Sequence, residues 1–153
     1  MASEIERKFL VAEMPTKIEI KVQHEIKQGY LFSTADFELR IRKKSAKFYQ
    51  TIKKGENLVR EETELEISKH QFEILWELAK NCSLEKIRYE IPWQHLIIEL
   101  DVYLNNLKGL ITAEVEFESV EEAQNFTPPE WFGKEITTSR AYKNSMLAKN
   151  GLP

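Results

Sequence analysis

The chain has a single cysteine, Cys82. An intrachain disulfide is thereby excluded, and a reducing cytoplasm is the expected setting. No apolar run approaches the ~20 residues that span a bilayer, and Met1-Ala2-Ser3-Glu4 leads into strand pattern where a signal peptide would need a basic and then an apolar segment. The expectation is a soluble protein with no membrane partner. An excess of positive charge is also missing: 22 Lys and Arg stand against 25 Asp and Glu, for a net charge of −3. No global field attracts nucleic acid or an acidic membrane, so any basic site has to be local. P-loop, Rossmann and Ser/His motifs are absent. His24, His70 and His95 stand at no metal-ligand spacing and read as surface residues; Cys82, with no suggestive His beside it, reads as a small buried hydrophobe.

What is present is charge arranged with period two. Charged residues make up 31% of the chain, above the ~25% usual for globular proteins, and 153 residues suit one domain spanning 1–153 with a sizeable core. In the first strand, Glu4 to Leu10, extended backbone puts Glu4, Glu6 and Lys8 on one face and Ile5, Arg7 and Phe9 on the other. The arrangement returns along the chain. Ile26, Gln28 and Tyr30 share a face of a second strand from Glu25 to Phe32, with Gly29 between them as a candidate point of close backbone approach. From Asp36 to Lys44, Phe37, Leu39 and Ile41 oppose Glu38, Arg40 and Arg42, and after the break at Ser45-Ala46-Lys47 a fourth strand aligns Tyr49, Thr51 and Lys53. A fifth strand sets Arg60, Glu62, Glu64 and Glu66 together.

Ser68-Lys69-His70-Gln71 is a capping box, and Phe72, Leu75, Trp76 and Ala79 follow at helical spacing, which predicts an amphipathic helix of about three turns. A sixth strand carries Lys86, Arg88 and Glu90 and is ended by Pro92; a seventh, Gln94 to Tyr103, carries Ile97, Glu99 and Asp101; an eighth, Leu110 to Glu118, carries Glu114 and Glu116 against Ala113, Val115 and Phe117. Ser119 opens a short helix, and Thr138 or Ser139 caps a final one to about Lys149. Residues 16 to 23 fit a strand or a capped helix and stay unassigned. The class is α+β with a mainly antiparallel sheet. Alternation separates charged from apolar residues without saying which face is inside. An apolar core with a charged exterior would show the same period.

Several blocks carry a resemblance that bears on this choice. Glu4-Ile5-Glu6-Arg7-Lys8-Phe9 resembles the ExExK signature of the CYTH superfamily, the triphosphate tunnel metalloenzymes. Its short bacterial inorganic triphosphatase branch is resembled by Ile26 to Leu31, Arg40-Ile41-Arg42, Thr51-Ile52-Lys53, Arg60 to Glu64, Lys86-Ile87-Arg88, Glu99 to Val102, Ala113 to Glu116 and the tail from Trp131 to Leu147. The resemblance implies an eight-stranded antiparallel closed β-barrel, a tunnel with a charged interior and helices packed outside.

It also implies a chemistry, the metal-dependent hydrolysis of inorganic triphosphate to pyrophosphate and phosphate. Lys8, Arg40, Arg42, Lys53, Arg60 and Arg88 would bind the polyanion, Arg through planar bidentate contacts and Lys as a point charge. The resemblance makes Glu4, Glu6, Glu114 and Glu116 the leading ligands for Mg²⁺ or Mn²⁺, with Glu62, Glu64, Glu99 and Asp101 as ligands, water holders or partners of the cations. Any one of these acids is as readily a salt-bridge partner. Lys86 and Tyr30 match the lysine and tyrosine assigned to general-base catalysis in that branch, the alternative being a further phosphate ligand and a packing aromatic. A class IV type adenylate cyclase, a thiamine triphosphatase and a non-catalytic polyphosphate or nucleotide binder are the competing functions, and the apolar outer faces leave room for helices or for a homodimer.

Overall fold

The computed structural model describes residues 2–153. Its strands are β1 Ala2–Leu10, β2 Val22–Ser33, β3 Phe37–Lys44, β4 Lys47–Lys54, β5 Val59–Ile67, β6 Ser83–Trp93, β7 Leu96–Tyr103 and β8 Ile111–Phe117. Helix α1, Lys69–Ala79, follows β5; α2, Val120–Asn125, follows β8; α3, Asn144–Asn150, lies near the end. All pairings are antiparallel and the ring runs β1-β5-β4-β3-β2-β6-β7-β8. Strand β1 closes it, with Glu4 opposite Arg60 on β5 and Lys8 opposite Glu114 on β8. The closed eight-stranded barrel implied by the resemblance is the architecture of the chain.

Closure settles which alternating face points inward. Arg42, Asp101 and Glu114 are buried inside the barrel, while Ile41, Leu100 and Val115 are buried on its outside under the helices and the C-terminal segment. Ile41 packs with Phe72 and Ala79 of α1. Leu100 and Val115 join Ile98, Ala113, Phe117 and Ala123 of α2 in the largest apolar cluster. The hydrophobic core is therefore a shell around the barrel, and its burial is what frees the bore to be polar.

Local signals explain how the shell is seated. The capping box forms as the sequence predicts: Ser68 Oγ accepts from Gln71 N at 3.0 Å and Gln71 Oε1 accepts from Ser68 N at 2.8 Å. Gly29 lets α1 press on β2, since a Cβ there would stand 2.9 Å from Ala79 Cβ and 3.0 Å from Trp76. The 133–136 stretch binds the edge of β1, with Gly133 N donating to Leu10 O at 2.6 Å and Ile136 N to Lys8 O at 2.8 Å. Leu147 of α3 then packs with Leu84, Tyr103, Leu107 and Leu110.

Several expectations are corrected, and the unassigned segment is resolved. Strand β6 continues through Pro92, which pairs with Ile97 at the hairpin end, and Gln94, at φ 56°, makes the turn in place of opening β7. The final helix starts later than Thr138 or Ser139 predicts: a 3₁₀ turn at Arg140–Tyr142 precedes α3, and neither Ser139 nor Lys143 caps with its side chain. Residues 16–21 form neither strand nor helix, and Val22 opens β2. His24 is not a free surface residue: Nε2 lies 2.8 Å from Glu90 and Nδ1 3.0 Å from Ser45 Oγ. Cys82 is only half-buried. No helix of the structure is long and apolar enough to cross a membrane.

Candidate active site

Seven of the eight strands deliver charged side chains, and β2 delivers Tyr30, to one cavity of about 210 Å³ that runs along the bore. That is below the ~300–1,000 Å³ of clefts for drug-sized ligands. It is lined by Lys8, Tyr30, Arg40, Arg42, Lys53, Arg60 and Arg88, and by Glu4, Glu6, Glu62, Glu64, Glu114 and Glu116. Glu64 and Glu116 are the exposed members of this set. Two residues singled out in the sequence, Lys86 and Asp101, do not line the cavity; both are fully buried in its wall.

Asp101 is the anchor of that wall. Arg88 donates to it twice, Nε to Oδ1 at 2.7 Å and Nη2 to Oδ2 at 2.8 Å, and Lys86 Nζ donates to Oδ2 at 2.7 Å. Burial would raise the Asp101 carboxyl, but Arg88 and Lys86 hold it well below the usual carboxylate range. With both oxygens bonded by cations, Asp101 is the counter-ion of Lys86 and Arg88 in this structure. Arg88 also reaches Glu99, Nη1 to Oε2 at 3.1 Å, so its fork is held from two positions on the inward face of β7. Lys86 is brought down to about 7 by burial; Asp101 opposes the shift and Arg88 adds to it.

Tyr30 and Lys86 share no hydrogen bond. The Tyr30 oxygen accepts from Gln28 Nε2 at 2.9 Å, while Lys86 is held by Asp101. Burial, and then the charge of Glu38, pushes the Tyr30 hydroxyl well above its ordinary pKa, so it stays protonated.

The cations fall into two groups. Lys53 is paired with Glu4 at 3.0 Å and Glu62 at 3.6 Å, and Lys8 with Glu114 at 3.7 Å and the Tyr142 carbonyl at 2.8 Å. Arg40 and Arg60 are less satisfied: the Nε of each is buried with no hydrogen-bond partner among the described residues, and Arg60 Nη2 lies 3.2 Å from Glu38 Oε2 but out of line for a bond. Burial, then the proximity of Arg40 and Arg88, brings Arg42 down to about 10. Three arginines crowd one wall.

Carboxylates crowd another. Burial and the Glu114 charge push Glu6 up to about 8, and burial with Glu4, Glu6 and Glu99 pushes Glu116 up to about 7. Glu114 is the exception, since Lys8 and Arg88 overcome its burial and hold it at about 2. Such mutual repulsion is what a divalent cation relieves, so the donor set fits a hard oxygen-seeking ion. Among the described residues no three of these acids already converge to cage one.

Sequence reading missed several contributors. Glu38 lines the bore in phase with Arg40, its carboxylate bonded by Ser145 Oγ at 2.9 Å. The period-two pattern marks it as inward, and only its role went unassigned. Thr137, Ser139, Lys143 and Asn144 also line the cavity; the first three come from an irregular segment with no period to read, and Asn144 opens α3.

A closed antiparallel barrel whose bore sets crowded cations against crowded carboxylates defines a tunnel protein for small polyanions. Residues 2–149 match the CYTH domain, and the chain belongs to the CYTH family. It is 43% identical over 149 residues to an inorganic triphosphatase of Nitrosomonas europaea, covering 95% of this chain and 97% of that one. It is 36% identical over 153 residues to an inorganic triphosphatase of Acetivibrio thermocellus, covering 98% and 96%. The fold superposes on the crystal structure of an inorganic triphosphatase with a TM-score of 0.73 at 39% identity, over 100% of this chain and 99% of that one.

Proposed function

We propose that the chain is a metal-dependent hydrolase that cleaves inorganic triphosphate to pyrophosphate and phosphate inside the bore. The observation that carries this reading is the opposition of the two walls: Arg40, Arg42 and Arg88 repel one another across from acids that do the same. A polyanion with a divalent cation relieves both at once. When bound, the metal supplies charge neutralisation on the phosphate oxygens. Arg40, Arg42, Arg60 and Arg88 hold the chain of phosphoryl groups in a fixed line, and Lys8 and Lys53 add point charges from β1 and β4. Most of the rate then comes from positioning and charge stabilisation. Glu4, Glu6, Glu114 and Glu116 are the acids assigned to Mg²⁺ or Mn²⁺, with Glu62 and Glu64 at their margin.

Three substrates separate the functions. Phosphate release and cyclic AMP formation are measured with tripolyphosphate, ATP and thiamine triphosphate, each with Mg²⁺, Mn²⁺ or no metal. Phosphate release from tripolyphosphate that needs metal is expected; cyclic AMP with tripolyphosphate left intact would replace the reading with a cyclase, and tight binding without turnover with a binder.

Lys86 is assigned as the base because burial brings its pKa to about 7 and so leaves neutral amine at neutral pH; since its Nζ lies in the wall, bonded to Asp101 and outside the cavity, it takes the proton of the attacking water through an intervening water or after turning from Asp101 into the bore. Only the neutral form accepts a proton, so kcat is expected to rise with pH through about 7 and level above it. In Lys86→Met that rise should vanish while KM stays within about threefold. A wild-type profile flat from about pH 6 to about pH 9, the span on either side of that value, removes Lys86 from the role.

A further inference from the structure

Gln28 is fully buried on β2, in the same inward row as Ile26 and Tyr30. Its amide joins two groups of the site. Arg42 Nε donates to Gln28 Oε1 at 3.1 Å, and Gln28 Nε2 donates to the Tyr30 hydroxyl oxygen at 2.9 Å. The direction of both bonds is forced. An arginine Nε has a proton to give and no capacity to accept, so the amide oxygen must face Arg42 and the NH₂ must face Tyr30. The Tyr30 oxygen is therefore an acceptor in the wall, and its own proton has to go elsewhere. Among the described residues no atom accepts it: Glu38, the acid whose charge it feels, takes a bond from Ser145 Oγ at 2.9 Å and none from Tyr30. Tyr30 lines the cavity, so the open direction is the bore.

We infer that Gln28 is a positioning residue: by donating to the Tyr30 oxygen it turns the Tyr30 O–H toward a phosphoryl oxygen of the bound ligand, and by accepting from Arg42 it aims the rest of that guanidinium at the same ligand. The inference rests on the triphosphate reading for the identity of the ligand, and on geometry alone for the polarity of the Tyr30 hydroxyl. No other side chain of this size serves both ends. A carboxylate in place of the amide would satisfy Arg42 and pull the Tyr30 proton back into the wall; a thioether would satisfy neither.

The test has a ligand-free half and a kinetic half. In Raman spectra, the intensity ratio of the tyrosine Fermi doublet distinguishes a phenol that accepts a hydrogen bond from one that donates. Subtracting the spectrum of Tyr30→Phe isolates Tyr30 from the other members of the chain's five tyrosines. Without ligand, wild-type Tyr30 is expected to read as an acceptor, Gln28→Glu to shift it to a donor, and Gln28→Met to remove the accepting signature.

In phosphate release from tripolyphosphate, Gln28→Glu and Tyr30→Phe are each expected to lower kcat about tenfold, the scale of one hydrogen bond to a charged group. KM should stay within about threefold, and the double variant should be no slower than the slower single one. A residue that merely supports the wall would lower Tm, and its loss would add to that of Tyr30→Phe. Should Gln28→Glu fail to fold, Gln28→Met carries both measurements. Tyr30 reading as a donor in the wild type, or wild-type kcat in Gln28→Glu, overturns the inference. Expected spectra from a protein that releases no phosphate from tripolyphosphate would instead sink the triphosphatase reading and leave the Tyr30 polarity standing.

Discussion

An Asp101→Ala protein is expected to be about 3–5 kcal/mol less stable than the wild type, a fall of roughly 6–20 °C in Tm for a chain of this length. Asp101 is fully buried and is the counter-ion of two buried cations, Lys86 at 2.7 Å and Arg88 through a two-point contact. Removing it strands both. They differ in how they can respond. Lys86 can shed its proton and become neutral, since burial already favours that form. Arg88 cannot, and is left with Glu99 alone at 3.1 Å. Arg88 therefore carries most of the cost.

The pH dependence has a definite sign. The folded-state pKa of Asp101 lies below its ordinary value, so its stabilisation is full above the unfolded-state pKa of about 3.9 and is lost as pH falls through the lower folded value. The gap between wild type and Asp101→Ala in denaturant titrations should shrink as pH rises through about 7, where Lys86 loses its proton and leaves Asp101 with Arg88 alone, hold steady above that, and close only in strong acid. A gap that stays below about 1 kcal/mol at neutral pH would show that the triad is no more than a weak surface-like pair. Asp101→Asn, which keeps one acceptor oxygen, should fall between the two.

The membership of each face was legible in the sequence, because the period of two is imposed by the strand itself. Arg40 goes with Arg42, Lys86 with Arg88, Glu99 with Asp101 and Glu114 with Glu116, and all of them do point inward together. The sense of that face was not legible from period alone. It depends on closure, and closure depends on pairings remote in sequence: β1 must meet both β5 and β8, and β2 must meet β6. Depth along the bore was equally hidden. Lys86 and Arg88 sit two residues apart on one face, yet Arg88 lines the cavity and Lys86 does not: Asp101, opposite Arg88, holds the Lys86 ammonium in the wall. The irregular tail offered no period at all. Lys143 reaches the bore through a 3₁₀ turn and a bond from its ammonium to the Ala35 carbonyl at 2.7 Å, which no spacing rule anticipates.

The Tm increase produced by saturating Mn²⁺ or Mg²⁺ is expected to grow as pH rises from about 6 to about 8.5, the span set by the raised carboxyls, to a full effect of roughly 5–10 °C when the ion stands about 100-fold above its Kd. Burial and neighbouring acids push Glu6 up to about 8 and Glu116 up to about 7. In the metal-free protein both therefore bind protons that the unfolded chain, with carboxyls near 4.3, has already released. A raised carboxyl pKa works against the fold: the unfolded state holds fewer protons, so metal-free stability should decline as pH climbs from about 4.5 toward 8.

A divalent cation needs the same oxygens ionised. It must displace those protons at pH 6 and finds the acids already bare near pH 8.5. Two measurements follow from this competition. Calorimetric titration near pH 6.5 in buffers of different ionisation enthalpy should show between about one and two protons released per ion bound, falling toward zero above about pH 8.5. Glu6→Gln, which removes the most strongly raised carboxyl, should flatten both the metal-free decline and the growth of the metal-induced shift while leaving the barrel folded. A metal shift that is constant across this range, with no proton release, would mean that the ion binds away from Glu6 and Glu116 and that the crowded wall is neutralised by its own lysines.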